Sequence, residues 1–307
     1  MMTGLGVAIP TRDRVEYLAE TIESVLGGTQ TPDEFIVVDN SVRRAGETKA
    51  VCAKYGARVQ YVEPIADLTM QQNHNRAIQS IQSELCCIVH DDDVYGPDFL
   101  RRGTEALAAE PEANLFASNY SAIDGDGKVT WERAWSPFPS GTVSSFDLLE
   151  FAMKTRSPIH LSAAVMRSCA AKQFALSELD GNCADMGYFF PLICLSKSIL
   201  VDEPLVSIRV HSGMESSRAG YFRFDSKRRS VVRPIATLEW RTKRRFLESD
   251  IATKTLGPKV GELRRVAARR AVRLLFDDAR NRSLLPWEQL RTLAAAARIV
   301  PATQGHK

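Results

Sequence analysis

The sequence predicts an α/β fold, in which helices cover both faces of a mostly parallel β-sheet. Over residues 1–100, short β-branched runs alternate with segments of helical period, and polar or turn residues bound the runs. Strand–helix–strand units at this spacing form parallel βαβ pairs. Hydrophobic residues make up 44% of the 307 residues and charged residues 25%, which excludes a collagenous, low-complexity or wholly disordered chain.

The predicted elements follow from these periods. In residues 1–110 we predict strands at 5–9, 35–38, 58–63 and 85–89, and helices at 15–26, 70–81 and 97–109. Later we predict a hairpin of strands 115–124 and 129–135, helices 146–155 and 185–195, a strand at 161–166 and a strand pair around 199–210. From about residue 221 the chain reads as Arg-rich helices with breaks at Pro234, Gly257-Pro258 and Pro286.

This pattern suggests two domains. Residues 1–215 form the α/β domain, with halves 1–110 and 111–215, and residues 216–307 form a basic helical extension. The chain has no apolar run of about 18 residues and no basic leader before the first strand, so we expect neither a transmembrane helix nor a signal peptide. The six cysteines form no CxxC pair, and we expect reduced, buried thiols in a cytoplasmic protein.

Charge is distributed unevenly along the chain. Residues 1–204 hold 17 Lys and Arg against 28 Asp and Glu, whereas residues 205–307 hold 23 against 9. In the extension, arginines recur at helical spacing. The recurring residues are Arg264, Arg265, Arg269, Arg270 and Arg273. This stripe is interpreted as a solvated face, a homo-oligomer surface or a surface for anionic lipid, and no recognition motif supports nucleic acid.

Polar residues follow the predicted strands, where parallel sheets bind their ligands. The first strand is followed by Pro10, Thr11, Arg12, Asp13 and Arg14, the second by Asp39, and the fourth by His90, Asp91, Asp92 and Asp93. Three consecutive carboxylates repel one another unless a cation neutralises them. Oxygen ligands of this kind suit Mg²⁺ or Mn²⁺, so we predict a divalent metal here; a solvated turn capping the next helix is the alternative.

These motifs, in this order and spacing, resemble family 2 glycosyltransferases of the GT-A fold, with its Rossmann-type sheet. The resemblance continues at Ala184-Asp185, similar to the family's acidic pair, and at Arg209-Val210-His211, similar to its closing Arg-x-His, and covers about residues 5–215. It implies metal-dependent, inverting transfer of a sugar from a nucleotide-diphosphate sugar to an acceptor hydroxyl. The acceptor would be a saccharide or a lipid-linked molecule in glycan, polysaccharide or glycolipid synthesis.

The resemblance also implies roles for individual residues. Those matched to nucleotide-sugar binding are Pro10, Thr11, Arg12, Arg14, Asp39, Asn75 and Asp91. The implied metal ligands are Asp92, Asp93 and His211, and Asp185 is the implied base that deprotonates the acceptor. Taken alone, Asp185 reads as a helix cap, His211 as a surface or packing histidine and Asn75 as a helix-surface amide. We interpret His74 and His160 as structural.

At three positions the sequence differs from the family pattern. Asp13 replaces an Asn, His90 replaces the first Asp of the acidic motif, and Ala184 replaces a Glu. Two other functions remain open. A sugar nucleotidyltransferase would need a Gly-rich triphosphate loop, and the 10–12 turn has no Gly. A catalytically inactive GT-A-like binding protein would not need five retained aspartates.

Overall fold

The computed structural model describes residues 4–65, 68–135, 138–155, 159–211 and 234–279. Within these residues one sheet of ten strands has helices on both faces, which confirms the predicted α/β class. The strands are β1 (Leu5–Thr11), β2 (Glu34–Asp39), β3 (Gln60–Val62), β4 (Leu85–Ile88), β5 (Val94–Tyr95), β6 (Leu115–Ile123), β7 (Val129–Trp131), β8 (Gly141–Val143), β9 (Ala164–Arg167) and β10 (Ser198–Arg209). The helices are α1 (Leu18–Leu26), α2 (Ala45–Ala53), α3 (Met70–Ser80), α4 (Phe99–Ala109), α5 (Ser145–Lys154), α6 (Ser168–Ala171), α7 (Ala184–Leu195), α8 (Pro234–Leu247), α9 (Asp250–Leu256) and α10 (Val260–Ala279).

The first four strands form the parallel half of the sheet, in the order β3-β2-β1-β4. Every residue of β1 and β4 is buried, because helices cover both faces, and this explains their nearly unbroken apolar sequences. Thr11 at the end of β1 pairs in register with Asp39 at the end of β2. Two of the polar strand ends predicted from the sequence therefore lie side by side.

Beyond β4 the sheet is mixed rather than parallel throughout. Strand β9 runs antiparallel to β4 and β6, and β10 runs parallel to β6. The predicted hairpin is confirmed, since β6 and β7 pair antiparallel. The strand at 161–166 is only partly confirmed, since Leu161–Ala163 is a 3₁₀ turn and β9 begins at Ala164.

The strand pair predicted around residues 199–210 is wrong. One strand, β10, spans this region and pairs with β6 along its length, with register shifts on both sides of Pro204. A proline lacks the N–H that a regular ladder needs, so it is accommodated at such an irregularity.

The helices after residue 233 pack onto the α/β domain. Trp240, Phe246 and Leu263 share one apolar core with residues of α5 and α7. A helix begins at Pro234 and another ends at Gly257-Pro258, as predicted. The predicted break at Pro286 and the predicted boundary at residue 215 lie outside the described residues. No described helix has the length and apolar character needed to cross a bilayer.

The arginine stripe of α10 divides into two groups. Arg264 donates to the Leu247 carbonyl at 2.9 Å, and Arg270 donates to the buried carboxylate of Glu239 at 2.5 Å. These two half-buried arginines hold helices together, so only part of the stripe is left for the solvated, homo-oligomer or anionic-lipid surface that the sequence suggested. Arg265, Arg269 and Arg273 are exposed, at steps of four residues, and are called the arginine row below.

Five of the six cysteines are buried, as predicted. Cys169 is exposed, contrary to the prediction, because it lies on the short helix α6 at the edge of the fold.

Candidate functional site

The polar ends of β1, β2 and β4 meet at one edge of the sheet. The loop of residues 90–93, here called the acidic loop, follows β4, and the loop after β1 lies against it. Thr11 donates its hydroxyl to Asp91 Oδ2 at 2.6 Å, across 80 residues of chain. The parallel topology therefore brings the predicted segments together, as the rule for the carboxyl ends of parallel strands requires.

Arg14 is the cation that contacts the first two carboxylates. Its Nη1 lies 3.2 Å from Asp91 Oδ1 and 2.9 Å from Asp92 Oδ2. Both carboxylates are about 95% buried. Burial nonetheless raises the pKa of Asp91 to about 6, although Arg14 opposes this shift. One guanidinium thus compensates the charge of this pair only partly, and a further cation would be favourable.

Asp92 also contacts His211, which follows β10. Asp92 Oδ2 and His211 Nε2 are 3.1 Å apart, and the ring of Tyr17 packs edge-on against His211 with 5.0 Å between centroids. Two ligands of one metal ion lie at about this separation, and an oxygen with an imidazole nitrogen suits Mn²⁺. These two residues therefore fit a divalent cation.

Asp93 contacts different groups from Asp92. Its Oδ1 accepts the backbone N–H of Arg209 at 3.0 Å, and its Oδ2 lies 3.7 Å from Nδ1 of His90. Burial, reinforced by the charge of Asp92, raises the pKa of Asp93 well above its ordinary value. The sequence grouped Asp93 with Asp92 and His211 as metal ligands, whereas its carboxylate contacts a separate set of groups.

The buried side chain of Arg209 holds the acidic loop in place by hydrogen bonds. Its Nε donates to the Asp92 carbonyl at 2.8 Å, and Nη1 donates to the carbonyls of Asp124 and Gly125 at 3.2 Å each. Nη2 donates to Glu20 at 2.7 Å. The predicted Arg-x-His motif therefore combines a structural arginine with a histidine that faces the acidic loop.

Asp39 lies fully buried at the end of β2. Its Oδ1 accepts the N–H of Ser41 at 2.7 Å, and its Oδ2 accepts the hydroxyl of Tyr61 at 2.7 Å. Burial and the hydrogen bond to Asp39 raise the pKa of Tyr61, so this phenol remains a donor. The side chain of Asp39 is therefore held in one orientation beside the loop after β1.

Asp13 adopts the left-handed backbone conformation, with φ of 54°. Asx residues tolerate this region because a short polar side chain can bond locally. The Asp13 carboxylate accepts the N–H groups of Arg43 and Arg44 at 2.9 and 3.0 Å, which holds the loop after β1 against the loop after β2. The Asp in place of Asn is thus accommodated by two donors.

Three other residues were predicted to bind the nucleotide. Among the described residues, no hydrogen bond or ion pair joins their side chains to the acidic loop. Pro10 is a buried residue of β1, and Arg12 is exposed, with its Nη1 3.4 Å from the Leu68 carbonyl. Asn75 lies on α3, where its amide donates to the Leu176 carbonyl at 2.9 Å and accepts the Leu176 N–H at 2.8 Å. Asn75 therefore orients a neighbouring loop.

Asp185 occupies the first turn of α7 but does not cap it. The N-cap residue is Cys183, which makes no side-chain cap bond. Asp185 Oδ2 instead accepts the N–H of Leu161 at 3.4 Å, so the capping interpretation is wrong. Burial lowers the pKa of His74, and the charges of Asp185 and Asp92 oppose this shift.

Sequence reasoning missed a cluster of aromatic and imidazole rings beside the acidic loop. His90 packs edge-on against His74 and His160, with centroids 5.3 and 5.1 Å apart, and Tyr120 packs against His160 at 5.5 Å. His74 and His160 were interpreted as structural. The 70 residues between His90 and His160 leave no spacing signal that could have joined them.

Comparison with known proteins identifies the family. The family model described as "Glycosyl transferase family 2" matches residues 6–169, just over half of the chain. The chain belongs to this family, and its fold is the GT-A fold of glycosyltransferases.

Two solved structures illustrate this fold. S. aureus TarS in complex with UDP-GlcNAc is similar over 97% of this chain and 82% of that chain, with a TM-score of 0.64 and 15% identity. A mannosyltransferase, PcManGT from Pyrobaculum calidifontis, in complex with GDP-Man and Mn²⁺, is similar over 97% of this chain and 81% of that one, with a TM-score of 0.53 and 13% identity.

The curated relatives are much longer than the shared region. An uncharacterised glycosyltransferase of Rickettsia bellii is 25% identical over 128 residues, which are 41% of this chain and 18% of that protein. An uncharacterised protein of Sinorhizobium fredii, y4gI, is 30% identical over 125 residues, which are 39% of this chain and 14% of that protein. The matches thus span less than a quarter of either relative.

Proposed function

We propose that this protein is an inverting glycosyltransferase that transfers a sugar from a nucleotide-diphosphate sugar to an acceptor hydroxyl in glycan, polysaccharide or glycolipid synthesis. The observation that carries the proposal is the pairing of Asp92 with His211 beyond the end of β4, while the charges of Asp92 and Asp185 both act on His74. Inverting transfer needs a cation for the leaving group and a base for the acceptor.

Asp92 and His211 would hold a divalent cation, Mn²⁺ or Mg²⁺, at the donor diphosphate. When bound, such a cation neutralises charge that develops on the leaving diphosphate. Arg14, which now contacts Asp91 and Asp92, is positioned to add a second positive charge. The Mn²⁺ in the complex of PcManGT supports the choice of metal.

Asp185 would accept the proton of the attacking hydroxyl. Asp185 lies in the first turn of α7, and a carboxylate is a common general base. The bond from Leu161 holds one oxygen, and the second is available for an acceptor hydroxyl. No covalent intermediate is needed, because one carboxylate serves the acceptor side.

The nucleotide would lie over the ends of β1 and β2, near Thr11, Asp39 and Asp91. Asp39 has its orientation fixed by two donors and can accept a further hydrogen bond from a base or ribose. The UDP-GlcNAc and UDP complexes of TarS support a nucleotide-sugar donor. Pro10 and Arg12 would border this subsite.

One experiment tests the proposal. Unfolding midpoints are measured with UDP-, GDP-, dTDP- and CMP-sugars, with and without Mn²⁺, because a ligand of the folded state raises stability. The stabilising donor is then used in transfer assays with saccharide and lipid-linked acceptors, with wild type and Asp185→Asn. We expect Asp185→Asn to keep donor binding within a few-fold and to lose about 10²–10⁴-fold in turnover. Asp147→Asn, on the exposed first turn of α5, is the matched control. Near-normal turnover of Asp185→Asn would show that Asp185 is not the general base.

A further inference from the structure

Two residues of the acidic loop, His90 and Asp93, lie close to His160, a residue from a distant segment of the chain. His90 follows β4, Asp93 precedes β5, and His160 precedes the turn Leu161–Ala163. One nitrogen from each histidine and one carboxylate oxygen all lie within 4.8 Å of one another. The pair His90 Nδ1 and Asp93 Oδ2 is 3.7 Å apart. Two nitrogens and one oxygen thus lie close enough together to bind one metal ion.

One buried carboxylate oxygen of this cluster lacks a regular hydrogen bond. Asp93 is 1% exposed, and its Oδ2 accepts no hydrogen bond of normal length and angle within the described part of the chain. The hydroxyl of Ser162 acts on the same carboxyl and lowers its pKa, against the effect of burial. A buried acceptor without a partner costs about 1–3 kcal/mol, more if charged, so such a group usually indicates a water or an ion.

Neighbouring rings hold the two histidines in place. An imidazole nitrogen is a common metal ligand in proteins. The rings of His74 and Tyr120 pack against His90 and His160 and limit their rotation.

The ligand set selects a class of metal. Two imidazoles and one carboxylate suit Zn²⁺ and Co²⁺, whereas Mg²⁺ prefers oxygen ligands and retained water. Around Zn²⁺ the ligands would be about 3.4 Å apart, close to the present His90–Asp93 separation. A side-chain movement of less than about 1.5 Å would bring the His160 nitrogen to the same distance from the other two ligand atoms.

We propose that His90, Asp93 and His160 form a second metal site, specific for Zn²⁺-type divalent cations and separate from the donor-side pair Asp92 and His211. The site does not depend on the proposed sugar transfer. It would join the acidic loop to the segment that carries Leu161, whose N–H binds Asp185. Metal binding here would therefore fix the distance between the donor side and the acceptor side of the pocket.

The test is a Co²⁺ titration of the EDTA-treated, dialysed full-length protein in excess Mg²⁺. The d–d absorption of Co²⁺ reports bound imidazole ligands, and Zn²⁺ is then added as competitor. We expect one Co²⁺ per chain, displaced by Zn²⁺, with affinity lowered at least about tenfold in His160→Gln and in His90→Gln. Zn²⁺ should also raise the unfolding midpoint of wild type and not of these variants.

Two controls isolate the site. His74→Gln changes the neighbouring imidazole, whose Nδ1 lies 2.8 Å from the Met70 carbonyl, and should keep Co²⁺ binding. The double variant Asp92→Asn with His211→Gln removes the donor-side pair and should keep it too. Circular dichroism checks that each variant folds, and the two ligand variants serve as independent tests. Wild-type affinity in both ligand variants would overturn the proposal, as would loss of the absorption band in the Asp92/His211 double variant.

Discussion

Arg14 is the arginine that contacts the carboxylates of Asp91 and Asp92. It is about one-quarter exposed, while Asp91 and Asp92 are buried, so the guanidinium reaches in from the surface of the pocket. A divalent cation at Asp92 would bind to an oxygen that Arg14 now contacts. Arg14 and the metal are therefore expected to compete for this carboxylate.

This competition can be measured with Arg14→Met. Without metal, the variant should lose about 1–3 kcal/mol in free energy of unfolding, because two buried carboxylates lose a charged partner. Mn²⁺ should then raise its unfolding midpoint more than that of wild type. The control Arg43→Met removes an arginine that is 80% exposed and faces Asp13, and should change stability by less than about 0.5 kcal/mol. Equal Mn²⁺ shifts in Arg14→Met and wild type would contradict the competition.

The residues of the acidic loop could be predicted from the sequence because a buried apolar strand precedes them and the carboxyl ends of parallel strands form the ligand site. Which group each of these carboxylates contacts could not be predicted from the sequence. Whether Asp93 faces His211 or His90 depends on side-chain packing against β10, which is more than 100 residues away. The capping role of Asp185 was excluded only by the observed bond from Leu161.

A buried charge cluster joins the C-terminal helices to α5. Glu239 accepts hydrogen bonds from Lys243 at 2.6 Å and from Arg270 at 2.5 Å, and Lys243 also donates to the Thr155 carbonyl at 2.7 Å. Glu239 and Lys243 are about 3% and 1% exposed. Removal of one charge from such a cluster leaves the others buried without compensation.

Glu239→Gln is therefore expected to lower the free energy of unfolding by about 3–5 kcal/mol at pH 7, measured by urea denaturation. Lys243 and Arg270 lower the pKa of Glu239 below 4.5 although burial opposes them. The contribution of a carboxylate with a lowered pKa is complete above the unfolded value and is lost as pH falls through the folded one. The difference between wild type and variant should thus be largest above pH 4.5 and shrink in acid.

Glu248→Gln is the matched control. Glu248, in the turn just after α8, pairs with Arg244 on that helix, and both side chains are half exposed, so the change should cost at most about 1 kcal/mol. If both variants lose the same small amount, the buried cluster does not anchor the C-terminal helices.

Element positions were predictable where local period and burial agree, as in β1, β2, α3 and the β6–β7 hairpin. Prediction failed where tertiary contacts override local pattern. Pro204 interrupts the strand pattern, yet pairing with β6 carries β10 through it. Arg264 and Arg270 share the helical period of the exposed arginines, and only the fold places Leu247 and Glu239 within their reach.

At the scale of the whole molecule, the arginine row faces away from the core that joins α10 to the α/β domain. Leu263, Ala267, Ala268 and Ala271 are the buried face of this helix. The row therefore lies on the exposed face of α10. Such a row can meet an anionic membrane that carries a lipid-linked acceptor.

We expect the protein to bind vesicles that contain anionic lipid at low salt and to dissociate as ionic strength rises. Three Arg→Glu changes at Arg265, Arg269 and Arg273 should lower the partition coefficient at least on the order of a hundredfold, since each arginine contributes about 1 kcal/mol. Arg264→Met, which removes an interhelix contact instead, should leave vesicle binding unchanged. Salt-independent binding, or a triple variant that turns from dimer to monomer and still binds vesicles, would assign the row another role.

The contacts of Arg209 have a consequence for local opening of the fold. One side chain bonds the acidic loop, the turn of the β6–β7 hairpin and α1, which are distant in sequence. Segments joined in this way open as one cooperative unit rather than separately. Backbone amides in these three segments should therefore exchange with solvent deuterium with similar protection, and the hairpin turn should be protected far beyond what its exposed strand β7 suggests.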